Sequence, residues 1–207
     1  MQLLAITPPT PVPDEPRLAT ELLAAGLPRL HVRKPGFGAA EMRDYVQQIP
    51  ARHYPRLVLH GHPALVTALG LGGLHLTAAA RAALRAAPHL RPGQKLSTSF
   101  HTLAEIRQHR RRYAYVFLSP IFDSLSKENY AAAFDLATVA AALHQLRRRP
   151  GYRPAVLALG GITPARLPIV QQAGFAGAAV LGSIWQSPDP VAAYRALQAA
   201  AKDAAAT

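Results

Sequence analysis

Histidines, arginines and serines stand where short apolar runs end. LHVRK delivers His31, Arg33 and Lys34, LVLHGH delivers His60 and His62, and GLHL delivers His75. LSTSFH adds Ser97, Ser99 and His101, and the run YVFL is followed by Ser119, Asp123, Ser126 and Lys127. Imidazole changes charge near neutral pH, which makes it the usual general acid or base. Arginine grips oxyanions bidentately, and lysine meets them as a point charge. Two further runs, LALGGIT (157–163) and AAVLGS (178–183), end in glycine or serine. The backbone N–H groups of Gly160, Gly161, Gly182 and Ser183 can therefore approach an anion closely, so the pair reads as a phosphate cradle. Together these residues suit a small phosphorylated or carboxylated molecule.

Side chains at the ends of apolar runs converge only if the runs are parallel strands of one sheet. Such runs alternate with alanine-rich amphipathic segments along the chain, the signature of repeated βα units. Strands are predicted at 3–7, 29–33, 56–60, 73–76, 94–98, 114–119, 155–159 and 177–181. Helices are predicted near 15–25, 38–49, 63–69, 78–87, 102–111, 133–148, 164–173 and 188–202. Eight strands fit a closed (β/α)8 TIM barrel better than an open doubly wound sheet. In such a barrel the functional face is the C-terminal one, and phosphate sits over the loops after strands seven and eight. The longer loops from Pro8 to Pro16 and from Ser119 to Ala132 both follow a strand and fall on that face.

With 207 residues, half of them hydrophobic, one barrel domain over 1–207 is expected. The absence of cysteine excludes disulfides and thiolate metal sites. No apolar stretch approaches a membrane span, and the N-terminal MQLLAIT runs into prolines without a charged leader, so a soluble cytoplasmic enzyme is expected. The net charge of +12 is scattered. Its two dense runs, Arg110 to Arg112 and Arg147 to Arg149, fall at predicted helix ends, where cations offset the dipole. Basic and aromatic residues are not interleaved, so no nucleic-acid partner is expected. The alanine-rich helical faces permit a homodimer.

Metal chemistry is disfavoured by the residue types. His60, His62 and His75 lack a helical i, i+4 spacing and an accompanying carboxylate, so no metal is expected. Of the eleven acidic residues, only Asp123 falls at a strand end, and magnesium needs carboxylates.

Five ordered segments carry a resemblance along nearly the whole chain: residues 30–36, 57–76, 97–106, 115–127 and 157–190. The chain resembles the thiamine phosphate synthase and thiazole tautomerase family. That resemblance implies a barrel binding a thiazole phosphate, with Gly160, Gly161, Gly182 and Ser183 as phosphate contacts. It also implies Arg33 as the arginine ending strand two, Lys127 as the lysine of the loop after strand six, and His101 as the histidine after strand five. Family synthases hold magnesium with aspartates after strands three and four. Here those regions read LHGHPAL and HLTAAAR, without a carboxylate.

The departure favours the tautomerase branch. There a metal-independent proton shift makes a carboxythiazole phosphate aromatic. His101 would be the acid and base, Arg33 or Lys34 would hold the carboxylate, and Lys127 would close over the site. His31, His60, His62, Ser97, Ser99 and Ser119 would line the pocket. Two other readings stand beside it. One is a synthase joining thiazole phosphate to a pyrimidine pyrophosphate with magnesium, and the other is a non-catalytic binder of such phosphates.

Overall fold

Period-two alternation along short strands decides which side chains enter a barrel and which meet its helices. The computed structural model describes residues 1–123 and 134–206. The strands are β1 (Gln2–Ile6), β2 (Leu30–Val32), β3 (Leu57–His60), β4 (Gly73–Leu76), β5 (Lys95–Phe100), β6 (Tyr115–Leu118), β7 (Ala155–Leu159) and β8 (Gly177–Val180). They pair in parallel in sequence order, and β8 returns to β1 with Leu4 opposite Ala179. The closed parallel barrel is the fold that the repeated apolar runs predict.

The helices are α1 (Glu15–Ala24), α2 (Ala39–Gln47), α3 (Pro63–Ala68), α4 (Ala78–Ala83), α5 (Leu103–Gln108), α6 (Leu136–Arg148), α7 (Leu167–Gln172), α8 (Gly182–Trp185) and α9 (Pro190–Ala206). Several are shorter than their sequence patterns predict. Helix α5 stops at Gln108, where His109 turns extended and its Nδ1 takes the Ile106 carbonyl at 2.7 Å. Arg110 to Arg112 therefore lie beyond the helix, on the approach to β6, whereas Arg147 and Arg148 do occupy the last turn of α6. A 3₁₀ turn at Ala51–Arg56 was not anticipated. It lies between Pro50 and β3 and contains Pro55, which has no N–H to donate to a helix ladder.

Outward residues such as Leu3, Ala5, Val116, Leu118, Val156, Ala158, Ala178 and Val180 pack under the helices in the main core. Inward residues divide into two halves. Leu4, Ile6, Tyr115, Phe117, Leu157 and Ala179, from β1 and β6 to β8, form a separate apolar cluster inside the barrel. The opposite wall, from β2 to β5, turns in His31, His60, His75, Ser97 and Ser99. Closure also needs a residue without a side chain: a Cβ on Gly177 would sit 2.2 Å from the Gln2 carbonyl oxygen.

Lys34 follows β2 but does not reach the barrel mouth. Its Nζ lies 2.7 Å from the Glu15 carboxylate and 2.6 Å from the Pro8 carbonyl, with both side chains fully buried. Tyr45 donates to the same carboxylate at 2.6 Å. Burial of Tyr45 and the neighbouring Glu15 charge push its hydroxyl pKa well above the ordinary value. This triad pins the loop after β1 to the end of β2. Removing one member leaves an uncompensated buried charge, so Glu15→Ala is expected to cost about 3–5 kcal/mol of unfolding free energy in urea titrations. A Glu15→Leu, Lys34→Met double variant recovers most of that loss.

Candidate active site

Extending the inward alternation past each strand's last residue places Arg33, Thr77, His101, Ser119 and Gly161 around one opening. They line a cavity of about 280 Å³, together with His60, His75, Ser99, Ile6, Phe117, Leu159, Ala179, Gly160, Gly182 and Ser183. One wall is apolar and the other carries imidazoles and hydroxyls, the composition of a small-molecule site.

The two glycine-bearing turns form its rim. Gly160 and Gly161 have φ of 103° and 62°, and a Cβ on Gly161 would lie 2.3 Å from the Asp123 carbonyl oxygen. Only glycine meets both conditions. Arg166 donates to the Gly161 carbonyl at 2.6 Å, and the Ser183 hydroxyl donates to the Ile162 carbonyl, joining one turn to the other. The Trp185 indole N–H donates to the Ile6 carbonyl at 2.8 Å and fixes α8 across the β8–β1 seam.

His101 is held by its neighbours. A capping box between Thr102 and Glu105 starts α5 directly after it, and its own N–H donates to Glu105 Oε2 at 2.8 Å. Arg81 donates to the same carboxylate at 2.6 Å and to the Ser99 carbonyl at 2.5 Å, which ties α4, β5 and α5 together. The His101 Nδ1 lies 2.9 Å from the Ser119 carbonyl oxygen. A carbonyl only accepts, so Nδ1 carries the hydrogen and Nε2 of the neutral ring keeps its lone pair. Arg33 is placed from its backbone, where its N–H donates to Thr7 Oγ1 at 2.9 Å.

The cavity floor is a hydrogen-bonded histidine cluster. His31 Nδ1 lies 3.0 Å from His60 Nε2, and His31 Nε2 lies 2.7 Å from the Tyr115 hydroxyl. His75 meets Ser97 through Nδ1 at 2.9 Å and Ser99 through Nε2 at 3.0 Å. His60 and His75 stack, with ring centroids 4.1 Å apart. Burial drives all three pKa values down, reinforced for His31 and His75 by His60 and for His60 by Arg33. His60 falls to about 3, and the other two lie well below the ordinary value. The mouth is thus cationic and the floor neutral.

Several predicted site residues lie elsewhere. His31 and Ser97 are buried beneath the floor rather than exposed in the cavity, Lys34 is sequestered by Glu15, and Asp123 does not line the cavity. His62 is outside it too, in left-handed backbone at the start of α3, so the histidines that meet are His31, His60 and His75. Lys127 and Ser126 fall outside the described residues. The Arg81–Glu105 pair and Tyr115 were missed. Thr102 with Glu105 did signal a cap, whereas Arg81 in an alanine helix and Tyr115 within a strand carried no local cue. Among the described residues no carboxylate lines the cavity, and Gly61, His62, Thr77 and Ala78 follow β3 and β4. Imidazole and hydroxyl donors do not suit magnesium, so the described cavity does not fit that ion.

A closed parallel barrel with a cavity on its C-terminal face defines the chain as a (β/α)8 barrel protein. It belongs to the thiamine monophosphate synthase family, whose model matches residues 3–184. A thiamine-phosphate synthase of Bordetella bronchiseptica is 43% identical over 86 residues, which cover 42% of this chain and only 39% of that relative. The one from Listeria monocytogenes is 26% identical over 183 residues, covering 84% of this chain and 83% of the relative. The crystal structure of thiamine phosphate pyrophosphorylase from Bacteroides thetaiotaomicron superimposes with a TM-score of 0.77 at 29% identity, over 100% of this chain and 98% of that one. Among the described residues no helix is long and apolar enough to cross a membrane.

Depressed histidine pKa values tie stability to pH. The unfolded chain takes up protons that the folded cluster refuses, so the folded state is favoured above about 6.5 and loses stability as pH falls toward about 3. Urea midpoints should drop across that window, while the ring resonances of His31, His60 and His75 in NMR spectra should not titrate between about pH 5 and 8.

Proposed function

We propose that this cavity binds a carboxythiazole monophosphate and moves one proton on it, acting as a thiazole tautomerase without magnesium. One observation carries the reading: the described lining holds an oriented imidazole, His101, and no carboxylate. Coupling a pyrophosphate substrate calls for a bound divalent cation, whereas a proton shift calls only for a base with a free lone pair and an anion clamp.

In this mechanism the glycine turns take the phosphate and Arg33 takes the carboxylate. His101 Nε2 removes the proton from the ring carbon, and the C–H electron pair becomes part of the aromatic ring. The imidazolium, stabilised at Nδ1 by the Ser119 carbonyl, then returns the proton to the exocyclic carbon. Glu105 and Arg81 keep the His101 backbone in place during the transfer. The neutral floor and Phe117 offer the heterocycle a surface without charge. Lys127, which lies outside the described residues, is assigned to the site by the family resemblance alone.

The synthase reading is supported by a different observation, the names of the relatives, which are thiamine-phosphate synthases. One set of assays separates the two. The purified protein is incubated with the exocyclic carboxythiazole phosphate, and separately with aromatic thiazole phosphate plus the pyrimidine pyrophosphate, each with magnesium or with a chelator. Aromatisation insensitive to the chelator, with His101→Ala lowering kcat by about 10²–10⁴-fold at little change in KM, is the expected result. Coupled product that disappears with the chelator establishes the synthase reading instead. Binding without turnover of either substrate defeats both.

A further inference from the structure

The floor cluster has more order than packing requires. Ligand nitrogens of His31, His60 and His75 lie within 4.8 Å of one another, on three adjacent strands of the barrel wall. From their geometry we infer that His31, His60 and His75 form a site for a divalent first-row ion of the zinc type, bound through three imidazoles with a further position open to the cavity. This inference is independent of the tautomerase reading, because it concerns only the floor.

Each element of such a site is present. Three neutral imidazoles are what an ion of this class requires, and burial keeps all three uncharged. The second ring nitrogens of His31 and His75 are anchored, as those of metal-bound histidines usually are. His31 is held through Nε2 by Tyr115 at 2.7 Å. Whichever nitrogen of His75 turns to the ion, the other keeps a hydroxyl, Ser97 or Ser99. His31 Nδ1 and His60 Nε2 are already 3.0 Å apart, sharing one hydrogen at the place where the ion would bridge them. The ring centroids of His31 lie 5.2 Å from those of His60 and 5.3 Å from those of His75.

One movement is needed. The stacked rings of His60 and His75 lie in nearly parallel planes, so their in-plane lone pairs do not converge on one ion until His60 turns about its Cβ–Cγ bond, a soft torsion. His60 lines the cavity and is the least buried of the three, so it is the ring with room to move. Arg33 and Arg81 disfavour positive charge at His75. The same repulsion acts on a dication, so the ion needs an anionic group from the cavity as its remaining ligand. Neutral imidazoles without carboxylate select zinc, cobalt or nickel over magnesium.

The test uses tag-free, chelator-treated full-length protein titrated with Co²⁺ and Zn²⁺, followed by visible absorption and by metal analysis after gel filtration. The expected result is one equivalent per chain, with the intense visible bands of four-coordinate Co²⁺. His60→Ala and His75→Ala should abolish both signals, while His62→Ala retains them. Tyr115→Phe, which removes an anchor and no ligand, should weaken binding about 10–100-fold. Circular dichroism establishes that each variant is folded. If His75→Ala does not fold, His60→Gln at the cavity surface replaces it. Failure of the wild type to retain metal overturns the inference, as does retention undiminished in folded His60 variants. Because no substrate is present, neither outcome depends on turnover.

Discussion

A closed barrel has no edge through which an inward polar group can reach solvent sideways. Every side chain that the strand alternation turns inward must find its partner inside or at the mouth, and this requirement shapes the whole molecule. On β6, β7, β8 and β1 it is met by Leu4, Ile6, Phe117, Leu157 and Ala179, which need no partner. On β2 to β5 the inward residues include histidines and serines that satisfy one another: His31 with His60 and Tyr115, His75 with Ser97 and Ser99. A buried polar network of this kind is stable only when its members are paired.

Electrostatics divides the cavity by depth. Deep imidazoles are kept uncharged by desolvation and by Arg33 above them, whereas the rim collects Arg33, the glycine turns and His101. The ligand proposed for this cavity would carry its anionic group outward and its uncharged body inward. Secondary contacts preserve that division: Glu15 withdraws Lys34 from the mouth, and Glu105 neutralises Arg81 beside β5. The carboxylates of Glu15 and Glu105 are thus engaged with cations.

Strand order and barrel closure were legible because each strand is a short apolar run bounded by turn residues, and all eight predicted segments overlap an observed strand. Arg33, His101 and the glycine turns were legible because they directly follow such runs. Helix lengths were not: the helical pattern at 102–111 continues past Gln108, where His109 turns extended and donates to the Ile106 carbonyl. Nor could residue type separate His60, which opens to the cavity, from His62, only two places on. Gly61, at φ of 108°, and His62, at φ of 52°, turn the chain away from the strand direction. Lys34 misled for a related reason, because its partner Glu15 arrives from a distant loop and no local pattern announces it.

The indole of Trp185 reaches back 179 residues to the carbonyl of Ile6, and β8 pairs with β1 along most of its length. During synthesis the first strand therefore waits for nearly the last turn of the chain before its second edge is covered. Until then Leu4 and Ile6 face an unfinished trough, and the wall that carries the rim turns is missing. Such long-range pairing is slow to form and exposes apolar surface in the interval. The pocket is completed only once β8 and the turn into α8 have been made and have closed on β1.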